Sequence, residues 1–215
     1  MQVQTLSPTS PAIPRAPAVP VRLRDRGVFT LTYSPGEPIY VEGDAPHSLY
    51  RIVCGAVRTV RHSIDGRRQI GGFYYPGDLF GLDGEEGHAY SAEAMCATEV
   101  VVCRQKAPAE ERSDRTDYCA AIAELSRTQH HLSLLGRRSA SDKVASFLVD
   151  MARRDGSDVA SLPMSRQDMA DYLGLAIETV SRVLGQFQIQ GLVVFVSCRD
   201  FQIVRGAALN RLAAS

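Results

Sequence analysis

Glu178, Thr179, Ser181 and Arg182 cluster within the segment Ser165–Gly191, SRQDMADYLGLAIETVSRVLGQFQIQG. Their chemistry suits the reading of a hydrogen-bonding pattern, not the making or breaking of a covalent bond. An arginine guanidinium can donate two parallel hydrogen bonds to O6 and N7 of guanine, and a glutamate carboxylate can accept from N4 of cytosine. A serine hydroxyl can bond or pack against a thymine edge. On a helix, Glu178 and Arg182 are i,i+4 neighbours, so the carboxylate can hold the guanidinium in a base-facing pose. Alone, such a pair is an ordinary surface salt bridge; its setting is what favours nucleic acid. Ser165, Arg166 and Gln167 fall where a preceding helix would begin and are placed for backbone phosphates, with Thr179 in a supporting position.

The setting is a helix, a tight turn and a second helix. Ser165 with Asp168 three residues on makes a box-like helix start, and Met169, Ala170 and Leu173 face inward. Gly174 breaks that helix, and Leu175 locks it to the next, which runs from about Ala176 to Gln190. The inner face of the second helix is read as Ile177, Val180, Leu184, Phe187 and Ile189. That leaves Glu178, Thr179, Ser181, Arg182, Gly185 and Gln186 outward, on a helix that reaches base edges only in a major groove. After Gly191, Leu192–Val196 and Phe201–Val204 flank Ser197–Asp200 as a hairpin. Arg199 at its tip is a candidate phosphate contact, and Cys198 beside it a candidate redox-active thiol. Upstream, Ser139 or Ser141 caps a helix over Asp142–Arg154 whose core face is Val144, Ala145, Phe147, Leu148 and Met151. Residues 137–215 therefore read as a domain of three helices and a hairpin.

The remainder has to position that domain. From about Asp117 to Leu135 the period is helical: Ile122, Leu125, Gln129, Leu132 and Gly136 step by three and four, and Leu135 borders the stripe. Such a stripe packs on its own domain or pairs with a second copy. Gln129 and the pair His130-His131 favour the second use, a register-fixing dimer contact over 113–136. Residues 21–107 carry short β-type runs, clearest at Phe29–Tyr33, Ser48–Val53, Ala56–Arg61, Gln69–Tyr74 and Thr98–Cys103. Gly55, Gly66 and Gly77, eleven apart, suit stacked antiparallel hairpins closing into a barrel or jelly roll. Residues 1–20, with prolines at 8, 11, 14, 17 and 20, read as a flexible tail.

The totals exclude several classes. The 24 Lys plus Arg balance 24 Asp plus Glu, and residues 1–136 hold 14 basic and 16 acidic side chains against 10 and 8 in 137–215. So small an asymmetry would not by itself reveal a DNA-binding domain. No apolar run is long enough to span a membrane and no export signal opens the chain, so a cytoplasmic location is expected. The five cysteines (54, 96, 103, 119 and 198) include no CxxC pair and read as free thiols. No nucleophile–base pairing or metal-ligand spacing stands out, and Gly71-Gly72 and Gly81-x-x-Gly84 lack the context of a phosphate loop. No catalytic residue is expected.

Three stretches carry a family resemblance: LLGRRSASDKVASFL (134–148), LPMSRQDMADYLGLAIETVSR (162–182), and Phe80-Gly81 within the hairpins of 28–103. They resemble the CRP/FNR superfamily of bacterial transcription regulators, and within it the FixK-like branch. The resemblance implies an α+β chain: an N-terminal β-roll of cyclic-nucleotide-binding type (a double-stranded β-helix or jelly roll), a long dimerisation helix and a C-terminal winged helix-turn-helix. It implies a homodimer on a near-palindrome resembling TTGA-N6-TCAA, with RNA polymerase as a further partner. By the family's Glu-x-x-Ser-Arg pattern, Glu178, Ser181 and Arg182 inherit base reading. Activation of genes for low-oxygen respiration or nitrogen fixation is the implied role.

The departures from the family pattern concern sensing. Nucleotide-binding members pair a cyclic phosphate with an arginine after the Phe-Gly segment; here no arginine lies between Arg68 and Arg104. The oxygen-sensing members hold an iron–sulfur cluster on cysteines near the N-terminus, and no cysteine precedes Cys54. Neither cyclic nucleotide nor cluster is expected, and His47, His62 and His88 read as surface residues, not metal ligands. The rival reading is a β-roll ligand or redox sensor acting mainly through a protein partner.

Overall fold

The computed structural model describes residues 28–46, 48–83, 86–104, 114–157 and 159–214; the expected proline-rich tail and His47 lie outside them. The alternating runs after residue 27 become eight strands: β1 (Val28–Tyr33), β2 (Pro38–Tyr40), β3 (Ser48–Cys54), β4 (Val57–His62), β5 (Arg68–Tyr74), β6 (Leu79–Phe80), β7 (Ser91–Ala94) and β8 (Thr98–Arg104). All pairings are antiparallel, in two four-stranded sheets ordered β1-β8-β3-β6 and β2-β7-β4-β5. The sequence pattern did not mark β2, β6 or β7, whose two to four residues are too few to show a period. Gly55 is required where it stands. Its φ is +88°, and a Cβ there would lie 2.4 Å from Thr98 Oγ1 and 2.5 Å from the Ala97 carbonyl oxygen.

The helical periods give α1 (Asp114–Leu135) and α2 (Ala140–Asp155). Of the two candidate serines, Ser139 caps α2, in a reciprocal box with Asp142. Beyond it come β9 (Ala160–Ser161), α3 (Arg166–Leu173), α4 (Ile177–Ile189), β10 (Val193–Phe195), β11 (Asp200–Ile203) and α5 (Gly206–Ala214). Two features correct the expectation of three helices and a hairpin. α5 makes a fourth helix, packed on α2 with Leu209 fully buried and the Ser146 hydroxyl donating to the Ala213 carbonyl. β9 pairs with β11, so the wing has three strands. A glycine start and a run of alanines hid α5, and two residues are too few to announce β9.

One apolar cluster runs across the boundary between the β-roll and the C-terminal helices. It joins Val60, Ile70 and Phe73 to Phe147, Leu148, Met169, Tyr172 and Leu173. The Phe73 ring centroid lies 5.0 Å from that of Tyr172 and 6.2 Å from that of Phe147. The helix-turn-helix thus sits on the β-roll through core packing, and its placement is part of the fold. No helix among the described residues is long and apolar enough to cross a membrane.

Candidate nucleic-acid interface

The first helix of the reading unit begins at a complete cap. Ser165 is extended (φ −74°, ψ 164°), its Oγ accepts from the Asp168 amide at 3.0 Å, and Asp168 Oδ2 accepts from the Ser165 amide at 3.0 Å. Oγ also donates to Asp168 Oδ2 at 2.8 Å. The Ser165 hydroxyl is therefore engaged within the cap, and the exposed groups beside it are the Arg166 and Gln167 side chains. Arg166 lies over the Phe195 ring of the wing, 5.7 Å from its centroid, and Gln167 Nε2 donates to Asp171 Oδ1 at 2.7 Å. Gly174 ends α3 in the left-handed region (φ +62°), which only glycine adopts without strain, and this allows the sharp turn into α4.

α4 buries Val180, Val183, Leu184 and Phe187 and turns Glu178 and Arg182 to solvent, with Thr179, Ser181 and Gly185 half-exposed. Ile189, placed on the inner face from the sequence, is instead 88% exposed. It lies two residues, some 200°, past Phe187, on the opposite side of the helix. Val183 takes up the inward position that the sequence reading missed. The side chains of Glu178 and Arg182 form no ion pair or hydrogen bond with each other or with any other described residue. The expected intrahelical clamp is therefore absent, and both groups are available to an outside partner. Arg199 and Cys198 are exposed at the wing tip, where Ser197 Oγ accepts from the Arg199 and Asp200 amides.

What stands behind α3 has no local signal in the sequence. Arg58 on β4 and Arg68 on β5 both reach Asp168, more than ninety residues away. Arg58 Nη1 donates to its two oxygens at 2.9 and 3.0 Å, and Arg68 Nη2 to Oδ1 at 2.7 Å. Burial by itself would raise the Asp168 carboxyl; the Ser165 hydrogen bonds and the two guanidiniums outweigh it and hold the group below the ordinary aspartate value. Residues so far apart in the chain leave no local pattern to find.

The stripe on α1 splits into two faces. Ile122, Leu125, Gln129 and Leu132 are exposed, Leu132 by 70%, with Tyr118 on the same side. Leu134 is buried in the core, and Leu135 is half-buried, its Cδ2 close to Gly174 at the α3–α4 turn. α1 therefore fastens to the reading unit with one side and leaves an apolar side open.

Inside the β-roll, Tyr40, Tyr50, Tyr74 and Phe80 form a ring cluster with centroid separations of 5.2–6.2 Å. His88, read from the sequence as a surface residue, is buried instead. It stacks on Tyr40 at 3.6 Å, and its Nδ1 lies 2.6 Å from Asp83 Oδ2. A turn residue reads as exposed unless a partner ring is seen, and Tyr40 lies too far off in sequence to be seen. Burial pushes the Tyr40 and Tyr74 phenols well above the usual tyrosine range. Tyr74 donates to Glu124 Oε1 at 3.1 Å, with Arg127 of α1 4.4 Å above its ring. Among the described residues no group of three or more His, Cys, Asp or Glu side chains could hold a metal ion.

Comparison with known proteins agrees with this architecture in both halves. Residues 30–109 match the cyclic nucleotide-binding domain, and residues 142–212 match the Crp-like helix-turn-helix domain. The nitrogen fixation regulation protein FixK of Rhizobium meliloti is 41% identical over 182 residues, covering 84% of this chain and 85% of that protein. The chain belongs to the CRP/FNR superfamily, in its FixK-like branch. FixK of Bradyrhizobium diazoefficiens is 44% identical over 195 residues, covering 85% and 81% of the two chains. The solved structure of FixK2 from Bradyrhizobium japonicum superposes with a TM-score of 0.81 at 38% identity, over 87% of this chain and 98% of that one. As a FixK-like member of this superfamily the protein is a DNA-binding transcription regulator, not an enzyme.

Proposed function

We propose that the protein acts in the cytoplasm as a homodimer on a near-palindromic promoter site resembling TTGA-N6-TCAA. Glu178, Ser181 and Arg182 read each half-site, and Arg166, Gln167 and Arg199 hold the flanking phosphates. The observation that carries this reading is the exposed, internally unpaired Glu178 and Arg182 on a helix whose other side is fully packed. The open apolar side of α1 supports the dimer, since a two-fold pair presents two reading helices to two half-sites one helical turn apart. By the superfamily resemblance and the names of the FixK relatives, the protein activates genes of low-oxygen respiration or nitrogen fixation through contact with RNA polymerase.

The β-roll works without a cyclic nucleotide or an iron–sulfur cluster. What supports this reading is the aromatic cluster inside the β-roll and the lack of any arginine between Arg68 and Arg104 to meet a buried cyclic phosphate. The test is a titration of the reduced protein, with nothing added, against the palindrome and a scrambled duplex at one fixed salt concentration, alongside Arg182→Ala. The wild type should prefer the palindrome by well over tenfold and the variant should lose most of that preference. A wild-type preference below about tenfold (~1.4 kcal/mol) would end the claim, because one bidentate guanine contact alone gives ~1–3 kcal/mol.

A further inference from the structure

The reading unit is held at three separate points, two by the β-roll and one by α1. At the first, Arg58 and Arg68 close on the start of α3. Arg58 bonds Asp168 with Nη1 and Glu93 of β7 with Nε and Nη2, at 3.1 and 2.8 Å. Arg68 bonds Asp168 with Nη2 and Asp171 with Nε, at 2.7 Å each. Each of the five side chains exposes between 3% and 25% of its surface, so this is a largely desolvated network, not a surface pair. At the second point, Arg154 of α2 bonds Asp78 at 3.1 Å and lies over the Tyr75 ring, while the Tyr75 hydroxyl donates to Met151 Sδ at 3.3 Å. At the third, His131 of α1 stacks on Tyr172 at 3.8 Å and donates from Nε2 to the Tyr172 carbonyl at 2.8 Å.

Three anchors that do not lie along one chain segment remove rotation as well as translation from the unit they hold. Of the three, the arginine network alone is attached to the cap of the helix that leads into α4. We propose that Arg58 and Arg68 are positioning residues for DNA reading. Acting through Asp168 and Asp171, they fix the orientation of α3 and α4 on the β-roll and so fix the half-site spacing that the dimer accepts. Neither arginine touches DNA. The inference rests on the proposed reading of a palindrome. Its physical basis is that one base pair more or less between half-sites moves the second by about 3.4 Å and turns it by about 35°. A head tethered only by the joint at 136–139 would follow such a shift, whereas a head held at three points would not.

The experiment uses the full chain and measures affinity for four duplexes: the palindrome with an N6, an N5 or an N7 spacer, and a single half-site, each against a scrambled control. Proteins are the wild type, Arg58→Ala/Arg68→Ala, Asp171→Asn, which leaves the Asp168 cap intact, and Arg68→Lys, which keeps the charge. The wild type should favour N6 over N5 and N7 by about 30-fold or more, on the scale of a mismatched base pair or two. The double variant should narrow that ratio to about threefold while still separating the single half-site from scrambled DNA. Asp171→Asn should narrow it in the same direction, and Arg68→Lys should retain more of it than the double variant. The proposal is overturned if the variants keep the wild-type spacer ratio, or if all duplexes weaken together in step with a lowered melting temperature. Should the double variant not fold, Asp171→Asn decides by the same ratio. A wild type that separates palindrome from scrambled DNA but ignores the spacer defeats the positioning role alone. One that does not separate them defeats the DNA reading itself.

Discussion

Replacing Phe80 by alanine probes whether the β-roll interior is a packed core or a site kept for a ligand. Phe80 is 2% exposed and its ring lies within 6.2 Å, centroid to centroid, of Tyr40, Tyr50 and Tyr74. A buried aromatic removes about 150–250 Å² from water, which at ~25 cal/mol per Å² is about 4–6 kcal/mol for the whole side chain. Subtracting what alanine retains, and adding a term for the space left behind, gives an expected loss of about 3–5 kcal/mol. Three aromatic neighbours, two of them joined to other elements by Tyr74–Glu124 and Tyr40–His88 contacts, leave little freedom for the site to collapse. Phe80→Leu, which keeps most of the volume, should lose less than about 1.5 kcal/mol. The assay is urea unfolding followed by tyrosine fluorescence and far-ultraviolet dichroism, with the slope checked for constancy so that midpoints convert to free energies. A loss below about 1.5 kcal/mol for Phe80→Ala would refute the reasoning, because an interior that gives up a phenyl ring so easily already holds water or space for a guest.

Two further outcomes follow from α1. Leu125→Asp with Leu132→Asp should convert the protein from twice the chain mass to once by light scattering, with the melting temperature of the monomeric unit little changed, since both side chains face solvent in the single chain. Burial lowers His131 below the ordinary histidine value of 6.5, so folding favours its neutral form. The stability it contributes is complete above 6.5 and is lost as pH falls through the lower folded value. Wild type should therefore lose more melting temperature between about pH 7.5 and about pH 5.5 than His131→Gln does, and equal losses would remove the assignment.

The parts of the fold legible in the sequence are those whose signals lie within a few residues of each other. Ser165 with Asp168, Gly174 at the turn, and the 3.6-residue period of Val180, Leu184 and Phe187 delimit α3 and α4 almost to the residue. Asp65-Gly66 marks the β4–β5 hairpin in the same way. What stayed hidden depends on distance along the chain. His88 looks exposed until Tyr40 is placed on its face, and Asp168 looks like a cap alone until Arg58 and Arg68 arrive from the β-roll. Ile189 shows the limit of period reading at a helix end, where one apolar residue off the stripe is easily credited to it.

The network behind α3 also bears on how a chain of zero net charge can approach a polyanion. Phosphate attraction depends on which charges face the DNA, not on the total. On the reading unit the acids are largely occupied: Asp168 and Asp171 by the β-roll arginines, Asp142 in the α2 cap, Asp150 by His130, Asp155 by the Ser161 amide, and Asp200 by Ser197. Arg166, Arg182 and Arg199 project to solvent. Among the described residues of the unit, Glu178 is the acid left exposed and unpaired. A carboxylate entering a groove walled by phosphates is repelled on every sequence except one that offers a donor such as the cytosine N4 amine at its position. It therefore weakens binding everywhere and recovers the loss only at the matching site, which is how a residue that lowers affinity raises specificity. On the proposed reading, Arg182 supplies attraction and Glu178 rejection one helical turn apart, so the two residues would discriminate by opposite means. Both roles would require a helix held at one depth and angle, which is the task proposed above for the arginines on the far side of α3.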